Sequence, residues 1–206
     1  MERLIVSITG ASGAIYGIRT LEVLHRNKRV ETHLVISPSG TRTIGAETSY
    51  TAADVKALAN VVHPYKDIGA SLSSGSYRTL GMLVAPCSIK TLSGIANSYD
   101  NNLIVRAADV CLKERRRVVL LLRETPLHRG HVELILKATN IGAIVMPPVP
   151  AFYHRPKTIA QIVDQTVGRA LDLFGIDAGI VKRWTETEET QGSTAAANGE
   201  EDEEDS

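Results

Sequence analysis

The sequence predicts an α/β domain in three layers, with a parallel β-sheet between two layers of helices. Strand-like and helix-like segments alternate along the chain, which is the order that βαβ units produce. The strand-like segments are predominantly apolar, as expected for strands that are buried on both faces. With 206 residues, 43% of them apolar, the chain is long enough for a single domain with a substantial core.

Short apolar runs predict the strands. The first run, Leu4–Ile8, is rich in β-branched residues and ends at the turn Thr9–Gly13. Ser37-Pro38 ends the second run and Pro86 ends the third, because proline cannot donate to a sheet ladder. The predicted strands are Leu4–Ile8, Thr32–Ile36, Leu80–Ala85, Val118–Leu122 and Ala143–Met146.

The segments between these strands have the apolar spacing of helices that pack on a sheet. Thr51 is a favourable N-cap for the second of them. The predicted helices are Ile15–Leu24, Ala52–Ala59, Asn101–Arg115, His131–Thr139 and Thr158–Phe174.

Charge divides the chain into a basic domain, residues 1–185, and an acidic tail, residues 186–206. The domain holds all 23 Lys and Arg and 14 of the 23 acids, for a net charge of +9, and the other nine acids lie in the tail. The tail has no large apolar residue to bury, so we expect it to be disordered. The basic domain predicts anionic partners, which could be nucleic acid, phosphorylated cofactors or acidic metabolites.

Composition excludes several classes of protein. Two cysteines, Cys87 and Cys111, are too few for a disulfide framework or a cysteine-based zinc site. The short apolar run after Glu2-Arg3 has strand length rather than signal-peptide length, and no run approaches the ~20 residues of a membrane span. We therefore expect a soluble, cytoplasmic protein without a membrane segment.

Ligands of parallel α/β sheets bind beyond the carboxyl ends of the strands, so the residues after each predicted strand are the candidate site. Gly10-Ala-Ser-Gly13 could present helix N–H groups to an anion, or it could be a plain turn capped by Ser12. Ser37 stands where dinucleotide-binding folds often place an acid for the ribose, which favours a mononucleotide such as FMN over NAD.

The later loops add hydroxyls and a cation. Ser88 and Thr91 could donate to a phosphate or a flavin, and Arg123 ends a buried strand, where a guanidinium suits bidentate phosphate binding. Cys87 is more simply a packed thiol and Glu47 a surface charge, whereas Tyr153 could equally be a packing or a functional residue. Nucleic-acid binding is disfavoured by an aromatic content of 4% and by the absence of a recognised motif.

Taken together, these loops resemble the UbiX/Pad family of flavin prenyltransferases, in family order over residues 3–184. The matching stretches are Thr9-Gly-Ala-Ser-Gly13, Glu47-Thr48, Ser73-Ser-Gly-Ser76, Pro86-Cys-Ser88, Arg106–Arg116, Arg123-Glu-Thr-Pro126 and Pro150–Pro156. The resemblance implies a flavodoxin- or Rossmann-like sheet and a homo-oligomer, typically a dodecamer. It also implies an activity, the joining of dimethylallyl phosphate to N5 and C6 of reduced FMN. The prenylated FMN would serve a UbiD-type decarboxylase.

The same resemblance implies roles for individual residues. Those that would hold FMN are Gly10, Ala11, Ser12, Ser37, Ser88, Ile89, Lys90, Thr91 and Arg123. Those that would surround the prenyl phosphate are Arg106, Lys113, Arg123, Glu124, Tyr153 and Arg169. Ser12 and Glu47 would assist proton removal, and Lys113 and Glu124 complete the catalytic set. Some members have a pocket tryptophan where this chain has Ile68.

These residue types suit the implied chemistry. Breaking an allylic C–O bond requires a stabilised leaving phosphate, which Lys113, Arg169 and a tyrosine hydroxyl can provide. The chain contains no Asp-Asp pair and hence no aspartate-rich magnesium motif, so we expect no metal. Two other functions stay open: an FMN-dependent decarboxylase of the cysteine-decarboxylase fold, and a non-catalytic FMN-carrying decarboxylase subunit. The former is disfavoured because Ser73–Leu80 lacks the histidine of that group.

Overall fold

The computed structural model describes residues 1–184, and the predicted acidic tail lies outside the described residues. The six strands are β1 (Glu2–Ile8), β2 (Val30–Ile36), β3 (Val61–His63), β4 (Gly81–Cys87), β5 (Arg117–Leu122) and β6 (Ile144–Val145). The seven α-helices are α1 (Ala14–Arg26), α2 (Pro38–Glu47), α3 (Ala52–Ala57), α4 (Ile89–Ala96), α5 (Leu103–Lys113), α6 (Arg129–Asn140) and α7 (Ile159–Asp172).

All six strands pair in parallel in one sheet, in the order β3-β2-β1-β4-β5-β6. This order reverses direction between β1 and β4, where the chain leaves one half of the sheet and begins the other. At such a switch point the loops after the two neighbouring strands turn to opposite faces and leave a crevice between them. The predicted three-layer parallel sheet is confirmed.

Alternate residues of each strand enter two separate cores, one on each face of the sheet. Leu4, Val6 and Ile8 of β1 pack with α1, α2, α3 and α7, whereas Ile5 packs with α4, α5 and α6. Both sets are buried, which explains why successive residues of the strands are mostly apolar rather than alternating with polar ones. Helix α1 packs very close to the sheet at Gly17, where any side chain would overlap the main-chain oxygen of Ala85.

The prediction that Pro86 ends its strand is wrong, since β4 continues to Cys87. Pairing with β5 is irregular between Val84 and Cys87, so the missing N–H of Pro86 falls where the ladder is interrupted. Three elements were not predicted: α2, α4 and the short edge strand β3. Within residues 1–184 we find no helix with the length and apolarity needed to traverse a bilayer.

Candidate active site at the switch point

A cavity of about 910 Å³ opens at the carboxyl ends of β1 and β4. Its volume lies within the usual range for sites that enclose a nucleotide-sized ligand. Every residue predicted to hold FMN lines this cavity, together with Glu124. These residues are Gly10, Ala11, Ser12, Ser37, Ser88, Ile89, Lys90, Thr91 and Arg123.

Two of the helices at this edge begin with a serine cap. The Ser37 hydroxyl accepts from the Gly40 N–H at 2.9 Å and starts α2. The Ser88 hydroxyl accepts from the Thr91 N–H at 3.3 Å and lies 3.1 Å from the Thr91 hydroxyl at the start of α4. Both helices therefore point their amino ends toward the cavity, where their dipoles favour a bound anion.

The buried hydroxyl of Thr9 joins the two sides of the crevice. It donates to the Pro86 carbonyl at 2.7 Å and accepts from the Ser88 N–H at 2.8 Å, and Thr9 is only 1% exposed. The loop after β1 is thus fixed to the loop after β4 through one side chain. On the cavity side, Gly10 is required because a Cβ there would overlap the Cβ of Ser39.

Helix α1 begins differently from the other two, and the alternative of a turn capped by Ser12 is wrong. Gly13 is the N-cap residue, in the left-handed conformation with φ 100°, and the cap comes from Glu47 at the end of α2. Glu47 Oε2 accepts from the Gly13 N–H at 2.8 Å and from the Ala14 N–H at 3.2 Å. Glu47 is therefore more than an unattached surface charge.

The surroundings of Glu47 keep it ionised. Partial desolvation acts to raise its pKa, but the Ser12 hydroxyl, the two amides of α1 and the charge of Arg123 outweigh this effect. The net result is a pKa below the ordinary value of a glutamate. At neutral pH the carboxylate is charged and hydrogen-bonded to Ser12, a cavity residue, so it can receive a proton through that hydroxyl.

The far wall of the cavity consists of residues that the sequence analysis missed. It is formed by the end of α4, the start of α5, the loop that joins these helices and the loop after β3: Tyr65, Ser93, Gly94, Asn97, Tyr99, Asn101, Asn102 and Val105. Asn102 is the N-cap of α5 and accepts from the N–H groups of Ile104 and Val105. An Asn directly before an apolar helix was an available signal for this boundary.

Four predicted phosphate-binding residues do not line this cavity within one chain. Arg106 pairs with Asp100 at 3.0 Å, and Lys113 pairs with Glu114 at 2.6 Å at the opposite end of α5. Tyr153 and Arg169 lie on the loop before α7 and on α7 itself. Ile68 stands where some family members have a pocket tryptophan, but it is 54% exposed and does not line the cavity. The aromatic residue of this segment that does line it is Tyr65.

Cys87 does not line this cavity. Cys87 is fully buried, and burial raises the pKa of its thiol to about 12, which suits packing rather than nucleophilic attack. Among the described residues, no group of three or more His, Cys, Asp or Glu side chains is placed to hold a metal ion.

Comparison with known proteins identifies the family of this chain. The flavoprotein family model matches residues 1–176. The flavin prenyltransferase UbiX of Thauera aromatica is 57% identical over 189 residues, which covers 92% of this chain and 97% of the relative.

Two solved structures are also closely similar. One is the crystal structure of AnUbiX (PadA1) in complex with FMN and dimethylallyl pyrophosphate, with a TM-score of 0.87 and 50% identity over 89% of this chain and 97% of that one. The other is a dodecameric FMN-dependent UbiX-like decarboxylase from Escherichia coli O157:H7, with a TM-score of 0.87 and 48% identity over 89% and 99%. The chain belongs to the flavoprotein family and, within it, to the UbiX flavin prenyltransferases.

Proposed function

We propose that this protein transfers a dimethylallyl group from dimethylallyl phosphate to N5 and C6 of reduced FMN. The observation that carries the proposal is the convergence of all nine predicted FMN-binding residues on one cavity at the switch point. Serine hydroxyls, two helix amino ends, Lys90 and Arg123 there offer the donors and charge that a flavin mononucleotide requires. Family membership assigns the reaction class.

The second substrate would supply an allylic group attached to a phosphate. Glu124 lines the same cavity as the FMN-binding residues, and Arg106, Lys113, Tyr153 and Arg169 lie elsewhere on the chain. In the assembly that we propose, a homododecamer, neighbouring copies would bring these four residues to the cavity. Their charges and the tyrosine hydroxyl would stabilise the leaving phosphate in a site closed to water.

The proton lost on ring closure would go to Glu47. Its Oε2 atom is held by the two amides at the start of α1, and the Ser12 hydroxyl connects the carboxylate to the cavity. The Glu47 carboxylate is ionised at neutral pH and can accept the proton through the Ser12 hydroxyl, and its lowered pKa makes it a weaker base than an ordinary glutamate. Contact between the two bound substrates would supply much of the rate.

The product, prenylated FMN, would pass to a UbiD-type decarboxylase, and we place this exchange in the cytoplasm. One experiment tests the activity. The purified protein is incubated without oxygen with FMN, a reductant and dimethylallyl phosphate, and the released flavin is analysed by mass spectrometry. A gain of one five-carbon unit supports the proposal. Unchanged flavin together with decarboxylation of an added carboxylic acid would favour the decarboxylase alternative.

A further inference from the structure

A buried glutamine on α7 is tied to the hydroxyl of Tyr153. Gln165 is only 4% exposed, and its Nε2 donates to the Tyr153 hydroxyl at 2.6 Å. The same amide also meets the main chain of Lys182 twice: Nε2 donates to the carbonyl at 3.2 Å, and Oε1 accepts from the N–H at 3.0 Å. Both polar atoms of this buried side chain are therefore used.

The main chain of Lys182 fixes which way the amide of Gln165 faces. A peptide N–H can only donate, so the atom opposite it must be the amide oxygen. The amide NH₂ group then necessarily faces the Tyr153 hydroxyl and donates to it. This orientation follows from hydrogen-bond polarity alone.

The direction of the hydrogen bond between Gln165 and Tyr153 determines where the tyrosine hydroxyl can donate. Because its oxygen accepts from Gln165, the hydroxyl hydrogen of Tyr153 must point elsewhere. In the free chain it is directed to the Lys182 carbonyl at 3.3 Å, which is long for an O–H···O bond. An anionic phosphate oxygen is a stronger acceptor and forms a shorter bond. It would therefore replace the Lys182 carbonyl as the acceptor of the tyrosine hydrogen bond at little cost.

The ring of Tyr153 is held by two aromatic neighbours while the residue keeps exposed surface. Trp184 and His154 contact the ring edge to face, with centroids 5.5 and 5.4 Å away, and Tyr153 is still 42% exposed. The tyrosine is thus contacted by Gln165, Trp184 and His154 without being enclosed by them.

We propose that Gln165 is a positioning residue that turns the Tyr153 hydroxyl into a hydrogen-bond donor for the phosphate of the prenyl donor. This inference rests on the proposed function, in which Tyr153 meets that phosphate. Gln165 touches neither substrate and acts only through the tyrosine. The expected signature is therefore a weaker use of the prenyl donor with FMN binding unchanged.

The test is a double-mutant cycle with Gln165→Met and Tyr153→Phe. Methionine keeps the length of the side chain and removes the donor. We expect Gln165→Met to lower kcat/KM for dimethylallyl phosphate about tenfold, or about 1.4 kcal/mol, while Kd for FMN changes less than twofold. In the Tyr153→Phe background the same substitution should have no further effect on kcat/KM, because the hydroxyl that it orients is absent.

The matched control is Thr166→Val, at the next residue of α7, whose hydroxyl bonds to the Ile162 carbonyl of its own helix. It should leave kcat/KM near the wild-type value. Circular dichroism and gel filtration report folding and assembly. If Gln165→Met does not assemble, Gln165→Glu retains the bond from the Lys182 N–H and, when ionised, cannot donate to Tyr153.

The outcomes separate the two proposals. A wild-type protein that leaves the flavin unmodified overturns the proposed function and this inference with it. If the wild type is active, the inference alone is overturned by any of three results: kcat/KM unchanged in Gln165→Met, additive losses in the cycle, or an equal loss in Thr166→Val.

Discussion

Replacing Thr9 by valine should weaken both the fold and the FMN site, because one hydroxyl connects the two sides of the crevice. Valine has nearly the shape of threonine, so the packing of this 1%-exposed side chain is preserved. What is lost is the donor to the Pro86 carbonyl and the acceptor for the Ser88 N–H. The perturbation is therefore confined to hydrogen bonding.

The two lost bonds are not equivalent. The Pro86 carbonyl still accepts from the main-chain N–H of Thr9 at 3.2 Å, so it stays satisfied. The Ser88 N–H loses its acceptor, and a part-buried donor without a partner costs about 1–3 kcal/mol. We take about 2 kcal/mol as the loss of unfolding free energy, which lowers Tm by about 4–8 °C for a domain of this size.

The assay compares wild type, Thr9→Val and Thr9→Ser at one protein concentration. Thermal unfolding followed by circular dichroism gives the change in Tm, and quenching of flavin fluorescence gives Kd for FMN. Serine retains the hydroxyl, so Thr9→Ser should keep FMN affinity and most of the stability. Thr9→Val should bind FMN about tenfold more weakly, because the loop that carries Ser88 and Thr91 is no longer tied to β1.

Equal behaviour of the serine and valine variants would refute the reasoning, since only one of them retains a hydroxyl. So would a Thr9→Val protein with lower Tm but wild-type FMN affinity, because the crevice would then not depend on this connection.

Three further substitutions or treatments test other parts of the structure. Glu47→Gln can still accept from the amides of α1 but has no charge, so prenylation should slow about 100-fold or more while Kd for FMN changes less than threefold. Because the native pKa of Glu47 is lowered, its ionisation stabilises the fold above the ordinary glutamate pKa, and this stabilisation is lost as pH falls through the native value. The Glu47→Gln variant should therefore lack this part of the pH dependence when unfolding is followed during an acid titration. The thiol of Cys87, with its pKa raised to about 12, should not react with a disulfide reagent at pH 8 in the folded protein. The unfolded chain should react at both cysteines, Cys87 and Cys111, and release two equivalents of the reagent's thiol. Rapid reaction of Cys87 before unfolding would contradict its burial. Gly17→Ala should lose about 3 kcal/mol of stability in urea unfolding, because its Cβ would overlap the main-chain oxygen of Ala85; a wild-type midpoint would show that α1 can move away at no cost.

The buried strands could be predicted from the sequence because strands buried on both faces consist mainly of apolar residues. Val118–Leu122 is apolar throughout and Leu4–Ile8 is apolar except for the buried Ser7, and the structure extends these runs by only one or two residues. Helix α2 was missed because its ten residues contain a single large apolar side chain, Ile44, so no periodicity is visible. The edge strand Val61–His63 is too short to form a pattern.

Some residues of the candidate site could be predicted from the sequence and others could not. Residues that directly follow β1, β2, β4 and β5 were found, since the ends of parallel strands meet at one edge of the sheet. The wall that contains Tyr65 and Asn102 was missed because it comes from helix ends and the loops beside them, which no strand rule places. The bond between Gln165 and Tyr153 joins an α7 residue to the preceding loop, and nothing in either local sequence indicates it.

The cap that Glu47 provides bears on which nucleotides can enter. In dinucleotide-binding sheets, the amides at the start of the first helix receive the pyrophosphate. Here those amides already hold a carboxylate from the same chain, so a bridging diphosphate would meet a like charge at that position. A dinucleotide bound in that manner would therefore be repelled at the start of α1, because the Glu47 carboxylate of α2 already occupies these amides.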